Sequence, residues 1–231
     1  MQVWVCDSDG SNPVQLTPLG GPGAELSSWS PDGGHIAFNS SVKGNWDIYV
    51  ISSQGGAPRQ LTAENSVDSA PSWSRDGRWV YFGSNRTVTW QVWKVPVEGG
   101  APVQVTKNGG WRAVESPDGK FVYYTKDRTA DDAWKVPVGG GDEVPVLENL
   151  EGRWAIAEKG LYFFGRAKGA APGAKWFIQL FDFATKQVTP VVALEKEPFV
   201  EPPAVSPDGR TFLYTQVDTG ETDLMLVENF R

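Results

Sequence analysis

Six residues of this chain could gather to hold a ligand, and counting finds them. Ser-x-Asp-Gly occurs four times and a Glu-Lys-Gly variant once, ending in Gly33, Gly77, Gly119, Gly160 and Gly209. Eight residues before these glycines stand Glu25, Ser69, Trp111, Gly152 and Glu201. The next position holds Leu26, Ala70, Arg112, Arg153 and Pro202, and Asp68 lies one step earlier in its copy. Glu25, Asp68, Trp111, Arg112, Arg153 and Glu201 together suit a polar ligand, an ion or a partner's peptide end. Arginine forks a carboxylate, and tryptophan offers a flat apolar face. The opposing expectation is that these charges pair with one another or sit in water.

Other chemistry-bearing residues read as structural. The Asp7-Ser8-Asp9-Gly10-Ser11-Asn12 loop has a calcium-loop look, but no bidentate glutamate follows where a twelve-residue loop needs one. It is expected to be a hairpin turn. His35 is the only histidine, so a site of several histidines is excluded. It follows a turn at a strand start and is expected to be partly exposed; nothing nearby marks a nucleophile elbow. Cys6 stands alone, which rules out an internal disulfide, and within Val3-Trp4-Val5-Cys6 it reads as a small buried side chain. Arg86, Arg128 and Arg166 each end a second strand, and Asp47 and Asp223 precede a third. Recurrence in successive copies favours bonds to hairpin backbone for these five. A binding site is expected where the copies differ.

The elements that must position these residues come from a repeat. The turn glycines are 44, 42, 41 and 49 residues apart. Each turn has a mechanism: proline presets φ, Asp bonds its own backbone, and Gly takes positive φ. A second set of turns recurs at Asp9-Gly10, Gly55-Gly56, Gly99-Gly100 and Gly139-Gly140-Gly141, becoming Ala184-Thr185-Lys186 in the fifth unit. Between turns lie short aromatic and β-branched runs: Trp79 to Phe82, Phe121 to Tyr124, Leu161 to Phe164, Phe212 to Tyr214. Their near-continuous apolarity predicts strands buried on both faces. Four strands per roughly 40–45 residues is the signature of propeller blades. No segment shows helical periodicity.

The fold class predicted is therefore all-β, one propeller domain over residues 1–231. Its units are 1–17 (partial), 24–62, 69–106, 112–147, 153–194 and 203–231 (partial). The last unit lacks a fourth strand, and Val14 to Thr17 could supply it. Five blades are expected, six being the alternative, closed by a blade built from both termini. Gln2 to Cys6 is then a leftover third strand, free to add to an edge or to another molecule. A chain that starts mid-unit is expected to be the tail of a longer protein. In a propeller the first strands line the channel, so the six counted residues would meet at its mouth.

Composition narrows the function classes. The chain has 231 residues, 40% hydrophobic, with a net charge of −7 and no basic run, which argues against nucleic-acid contact by this segment. No stretch approaches the roughly 20 apolar residues of a membrane helix, and no signal-peptide pattern opens the chain. No cofactor or metal is expected.

The Trp-Ser-Pro-Asp-Gly, Ile-Ala-Phe, Asp-Ile-Tyr-Val and Gln-Leu-Thr quartet resembles the TolB-like (WD40-like) β-propeller repeat. The fifth unit departs from it, with Glu158-Lys159-Gly160 in place of Pro-Asp-Gly. Glu115 to Lys120, Trp134 to Val138 and Leu226 to Arg231 look like the C-terminal propeller of bacterial winged-helix transcriptional regulators. That likeness implies a bacterial sensor or interaction module rather than a DNA reader. The compartment would follow from upstream sequence: a signal peptide implies the periplasm, a winged helix a regulator's tail.

Three functions are weighed. The first is a non-enzymatic module binding a protein or small polar ligand at the channel mouth. The second is a lyase or hydrolase on a polyanionic sugar, with Arg112 and Arg153 holding a carboxylate. The third is a fragment that self-associates through its extra strand.

Overall fold

The computed structural model describes residues 2–17, 23–129, 132–148, 150, 154–166, 174–199, 201–206, 208–218 and 221–228. It is all-β, without a helix among those residues. Strands β1 (Trp4–Val5) and β2 (Val14–Gln15) form a two-stranded sheet. The first blade is β3 (Ala24–Trp29), β4 (His35–Ser40), β5 (Asp47–Ser52) and β6 (Arg59–Gln60). The second is β7 (Asp68–Trp73), β8 (Trp79–Thr87), β9 (Thr89–Pro96) and β10 (Val103–Gln104). The third is β11 (Ala113–Glu115), β12 (Phe121–Tyr124), β13 (Asp132–Pro137) and β14 (Val144–Glu148). The fourth is β15 (Trp154–Ala157), β16 (Gly160–Arg166), β17 (Trp176–Asp182) and β18 (Val188–Ala193). A three-stranded sheet follows: β19 (Ala204–Val205), β20 (Thr211–Asp218) and β21 (Glu221–Glu228). The chain divides into two compact units, Met1–Val146 and Leu147–Arg231.

The all-β propeller class expected from the repeat holds, but the blade count does not. Among the described residues there are four complete blades, not five or six, and no sheet combines strands from both termini. Val14 and Gln15 pair with Val5 and Trp4 instead of with β21. The reason is that β1 and β21 are both third strands. Each already sits in its own hairpin, and a four-stranded blade has one third-strand place. A local hairpin also closes a far shorter loop than pairing the two ends would.

The Ser-x-Asp-Gly turns explain themselves bond by bond. Ser30, Ser74, Ser116 and Ser206 donate Oγ–H to the Oδ1 of Asp32, Asp76, Asp118 and Asp208 at 2.5–2.7 Å. Each Oδ1 also accepts the N–H two residues on, from Gly34, Arg78, Lys120 and Arg210. Each serine Oγ accepts the N–H opening the next strand, from His35, Trp79, Phe121 and Thr211. The turn glycines take φ of 67–69°, which costs other residues strain. Serine donation followed by the backbone bond holds the Asp32 and Asp76 carboxyls low, Asp76 at about 2. Gly160 differs: Ala157 pairs directly with it, and a Cβ there would collide with the Phe181 carbonyl.

The closing Thr of the fourth strands repeats a second device. Thr17, Thr62 and Thr106 accept the N–H of Val3, Ile48 and Val92 through Oγ1. The same hydroxyls donate to Gln2, Asp47 and Gln91. Residues 2–17 are thus the back half of a unit, as their sequence implies.

Apolar side chains fill the space between sheets, as expected for strands buried on both faces. In the first unit Val3 and Leu16 pack on Ile36, Phe38, Tyr49 and Ile51; Ala37, Ile48 and Val50 meet Val80, Phe82 and Val95. Tyr81 and Val92 pack on Val122, Tyr124 and Val136. In the second unit Tyr162, Phe164 and Ile178 pack on Phe212 and Tyr214. Cys6 departs from its expected burial and is exposed. Strand alternation gives the cause: Val3 and Val5 face the core, so Trp4 and Cys6 face out.

Candidate functional site

In the first unit β3 and β11 both pack beside β7, so the ends where they begin lie together. Glu25, Asp68, Trp111 and Arg112 belong to these ends. The backbone there is unusual. Pairing slips between Glu25 and Ser28 and again between Ser69 and Ser72. Within the slips Leu26 has φ 46° and Ala70 φ 54°, a left-handed region that non-glycine residues seldom enter. In the third blade the Trp111 N–H donates to the Thr125 carbonyl (3.0 Å) and the Thr125 N–H to the Arg112 carbonyl (3.1 Å). Two residues there oppose one, an irregularity one repeat position earlier than in the first two blades and without a left-handed residue.

The four side chains fare differently. Asp68 is fully buried and bonded to Arg86 (Oδ2 to Nη2, 2.9 Å) and to the Ser66 hydroxyl (3.1 Å). Its carboxylate is consumed internally. Trp111 is buried, its carbonyl and ring lying where a Cβ on Gly83 would be. Glu25 and Arg112 are half-buried. Glu25 has no hydrogen-bond or ion-pair partner among the described residues. Glu201 lies in the second unit, half-buried ahead of β19. Arg153 lies outside the described residues.

Of the five residues expected to be structural, Arg86 and Asp47 are held by side chains rather than by hairpin backbone, and the Asp223 side chain lies outside the described residues. Arg86 bonds Asp68 and the Ser84 hydroxyl and lies 4.8 Å from the Trp93 ring centre. Arg166 lies 4.8 Å from that of Trp176. Lys126 takes the corresponding place over Trp134, 4.0 Å away, and pairs with Glu143 (2.9 Å). Burial raises the Glu143 carboxyl. The Lys107 N–H, the Lys126 ammonium and the Tyr124 hydroxyl outweigh that and hold it below its ordinary value. Asp47 is buried between Thr62 and Gln60 and is raised, by desolvation first and by Asp68 second.

Arg128 is the residue that counting at the strand starts passed over. It is exposed, 5.6 Å from the Trp111 ring centre and 5.9 Å from that of Trp90. A signal for it existed: Arg86 and Arg128 each follow their turn glycine by nine, yet the acid nine before Gly77 (Asp68) is replaced before Gly119 by Gly110.

The remaining candidates are accounted for. The Asp7 and Asp9 carboxylates bond Ser11 and Asn12 within their own hairpin. His35 is exposed at the start of β4, 6.4 Å from the Trp73 ring. No group of three metal-ligating side chains occurs among the described residues.

Comparison with known proteins agrees with this architecture. The chain is similar in structure to TolB from Acinetobacter baumannii (20% identity, TM-score 0.81), over 99% of this chain and 57% of that one. A putative TolB from Agrobacterium tumefaciens matches at 20% identity and TM-score 0.72, over 94% and 80% of the two chains. An oligogalacturonate lyase from Vibrio parahaemolyticus matches at 16% identity and TM-score 0.64, over 98% and 81%. The chain thus spans a little over half the length of the Acinetobacter protein. Residues 1–154, well over half of the sequence and the whole run from β1 through the third blade, match the family model described as the Tricorn protease N-terminal beta propeller domain, and the chain belongs to that family.

Proposed function

We propose that this chain is a non-catalytic binding module that takes a protein segment or small polar ligand at the strand-start rim of its first unit. The observation that carries the reading is the strained backbone at Leu26 and Ala70. Strain in the backbone there re-aims adjacent side chains, as it does at many binding sites, and those side chains differ between the copies, Glu25 in one and Ser69 in the next. Glu25 and Arg112 flank it and supply opposite charges. The likeness to C-terminal propellers of winged-helix regulators fits the same reading, because there too the propeller would sense or dock.

The test is a panel of tagged peptides and small organic acids, screened for binding to wild type and to Glu25→Lys with Arg112→Glu. Binders that lose at least tenfold in affinity on the double variant support the rim. Binders unaffected by it reject the site.

A lyase acting on acidic sugars is the second reading, favoured by the oligogalacturonate lyase neighbour. That likeness carries fold alone at 16% identity. Incubation with oligogalacturonate separates the two readings: an unsaturated product would make the chain an enzyme.

A further inference from the structure

Two blades carry the same arginine in different company. In the second blade Arg86 folds back on Trp93 and is neutralised by the buried Asp68 carboxylate. In the third, Lys126 occupies the equivalent tryptophan face, that of Trp134. The place of the acid is Gly110, which carries no side chain. Nor can the chain readily supply one there. A Cβ on Gly110 would lie 2.6 Å from the Thr106 hydroxyl and 2.9 Å from a Val92 methyl. Arg128 is therefore turned outward, steadied by the faces of Trp90 and Trp111, with no ion pair among the described residues. Its N–H fork stays available to an outside acceptor.

We infer that Arg128 receives an acidic side chain, Asp or Glu, from a partner polypeptide, which takes in trans the part that Asp68 plays in cis one blade earlier. The inference rests on the binding-module reading and names the chemistry of its partner. Charge complementarity is local: the exposed guanidinium of Arg128 meets no acidic side chain in an ion pair among the described residues. The surroundings favour a peptide over a sugar. Val88 is fully exposed at the tip of the β8–β9 hairpin, two residues from Trp90, and offers an apolar contact on the hairpin that carries that tryptophan. Guanidinium and carboxylate meet in a two-point fork, which a lysine ammonium cannot reproduce.

The experiment uses the full chain, immobilised, and two pools of N-acetylated, C-amidated peptides with randomised flanks. One pool has a fixed central Asp, the other Asn at that place. Wild type should retain the Asp pool roughly tenfold better than the Asn pool, as expected for one charge-assisted pair. Arg128→Glu should abolish the preference, and Arg128→Lys should weaken it severalfold. An unchanged thermal midpoint in both variants shows that the blade is intact, which exposure of Arg128 leads one to expect. Equal retention of both pools, or a preference that survives Arg128→Glu, overturns the inference. So does displacement of the Asp pool by trigalacturonate at lower concentration than by an unlabelled Asp peptide. Retention of both pools equally, lost on Glu25→Lys with Arg112→Glu, would overturn this inference while leaving the binding-module reading in place.

Discussion

Asp47 and Asp68 show how residue type misleads until burial is known. Both are buried carboxylates in neighbouring blades, and the charge of Asp68 helps to raise the Asp47 carboxyl. Asp68 has Arg86; Asp47 has only neutral donors. Asp68→Ala strands Arg86 with little solvent and should cost about 3 kcal/mol or more, read from denaturant unfolding. Asp47→Asn should do the opposite. The folded Asp47 carboxyl lies above its ordinary value of 3.8, so its ionised form weakens the fold near neutral pH. That cost fades as pH falls through the raised value. The unfolding midpoint of Asp47→Asn should exceed that of wild type at about pH 7 and converge with it towards about pH 4. In the sequence Asp68 looks like a rim ligand and Arg128 like scaffold, because type and spacing were visible there. What takes Asp68 out of ligand duty is its ion pair to Arg86, made across 18 residues. Cys6 is exposed for a simpler reason: strand alternation turns Val3 and Val5 to the core and Cys6 to the opposite face.

At the scale of strands and turns the sequence was most legible. Ser-x-Asp-Gly is a local motif, and its hydrogen bonds span five residues or fewer, so neighbouring residues contain all the information it needs. The same logic fails at Gly160. Gly33 is needed for its φ of 68°, whereas Gly160 is needed because the Phe181 carbonyl crosses beside it. Gly33→Ala should cost about 1 kcal/mol, the strain of a side chain in left-handed backbone. Gly160→Ala should cost about 3 kcal/mol, since strand backbone must move. Urea unfolding of the two variants checks the order. The bulges at Leu26 and Ala70 left no sequence mark, because neither residue type announces positive φ.

For the whole molecule, the repeat period identified the class of fold, but adding up strands overcounted the blades. β2 stays paired with β1 in its own hairpin and does not complete the sheet of β21. Net charge acts at this scale too. A chain of charge −7 repels an acidic partner at long range even where Arg128 and Arg112 attract it nearby. At about 0.15 M salt the Debye length is roughly 8 Å, which screens the distant field and spares close contacts more. Added salt should therefore speed association of an acidic peptide while shortening the life of the complex, a split that surface plasmon resonance would resolve.

The turn rings carry one more consequence. In four places an amide on a solvent-facing loop is tied down: the N–H groups of Gly33, Gly77, Gly119 and Gly209 donate to serine carbonyls at 2.8–3.0 Å. Their protons should exchange with deuterium only when the local hairpin opens. Glycine labelled with nitrogen-15 would report each of those openings separately by NMR, so three complete blades and the three-stranded sheet each carry a built-in gauge of their own breathing.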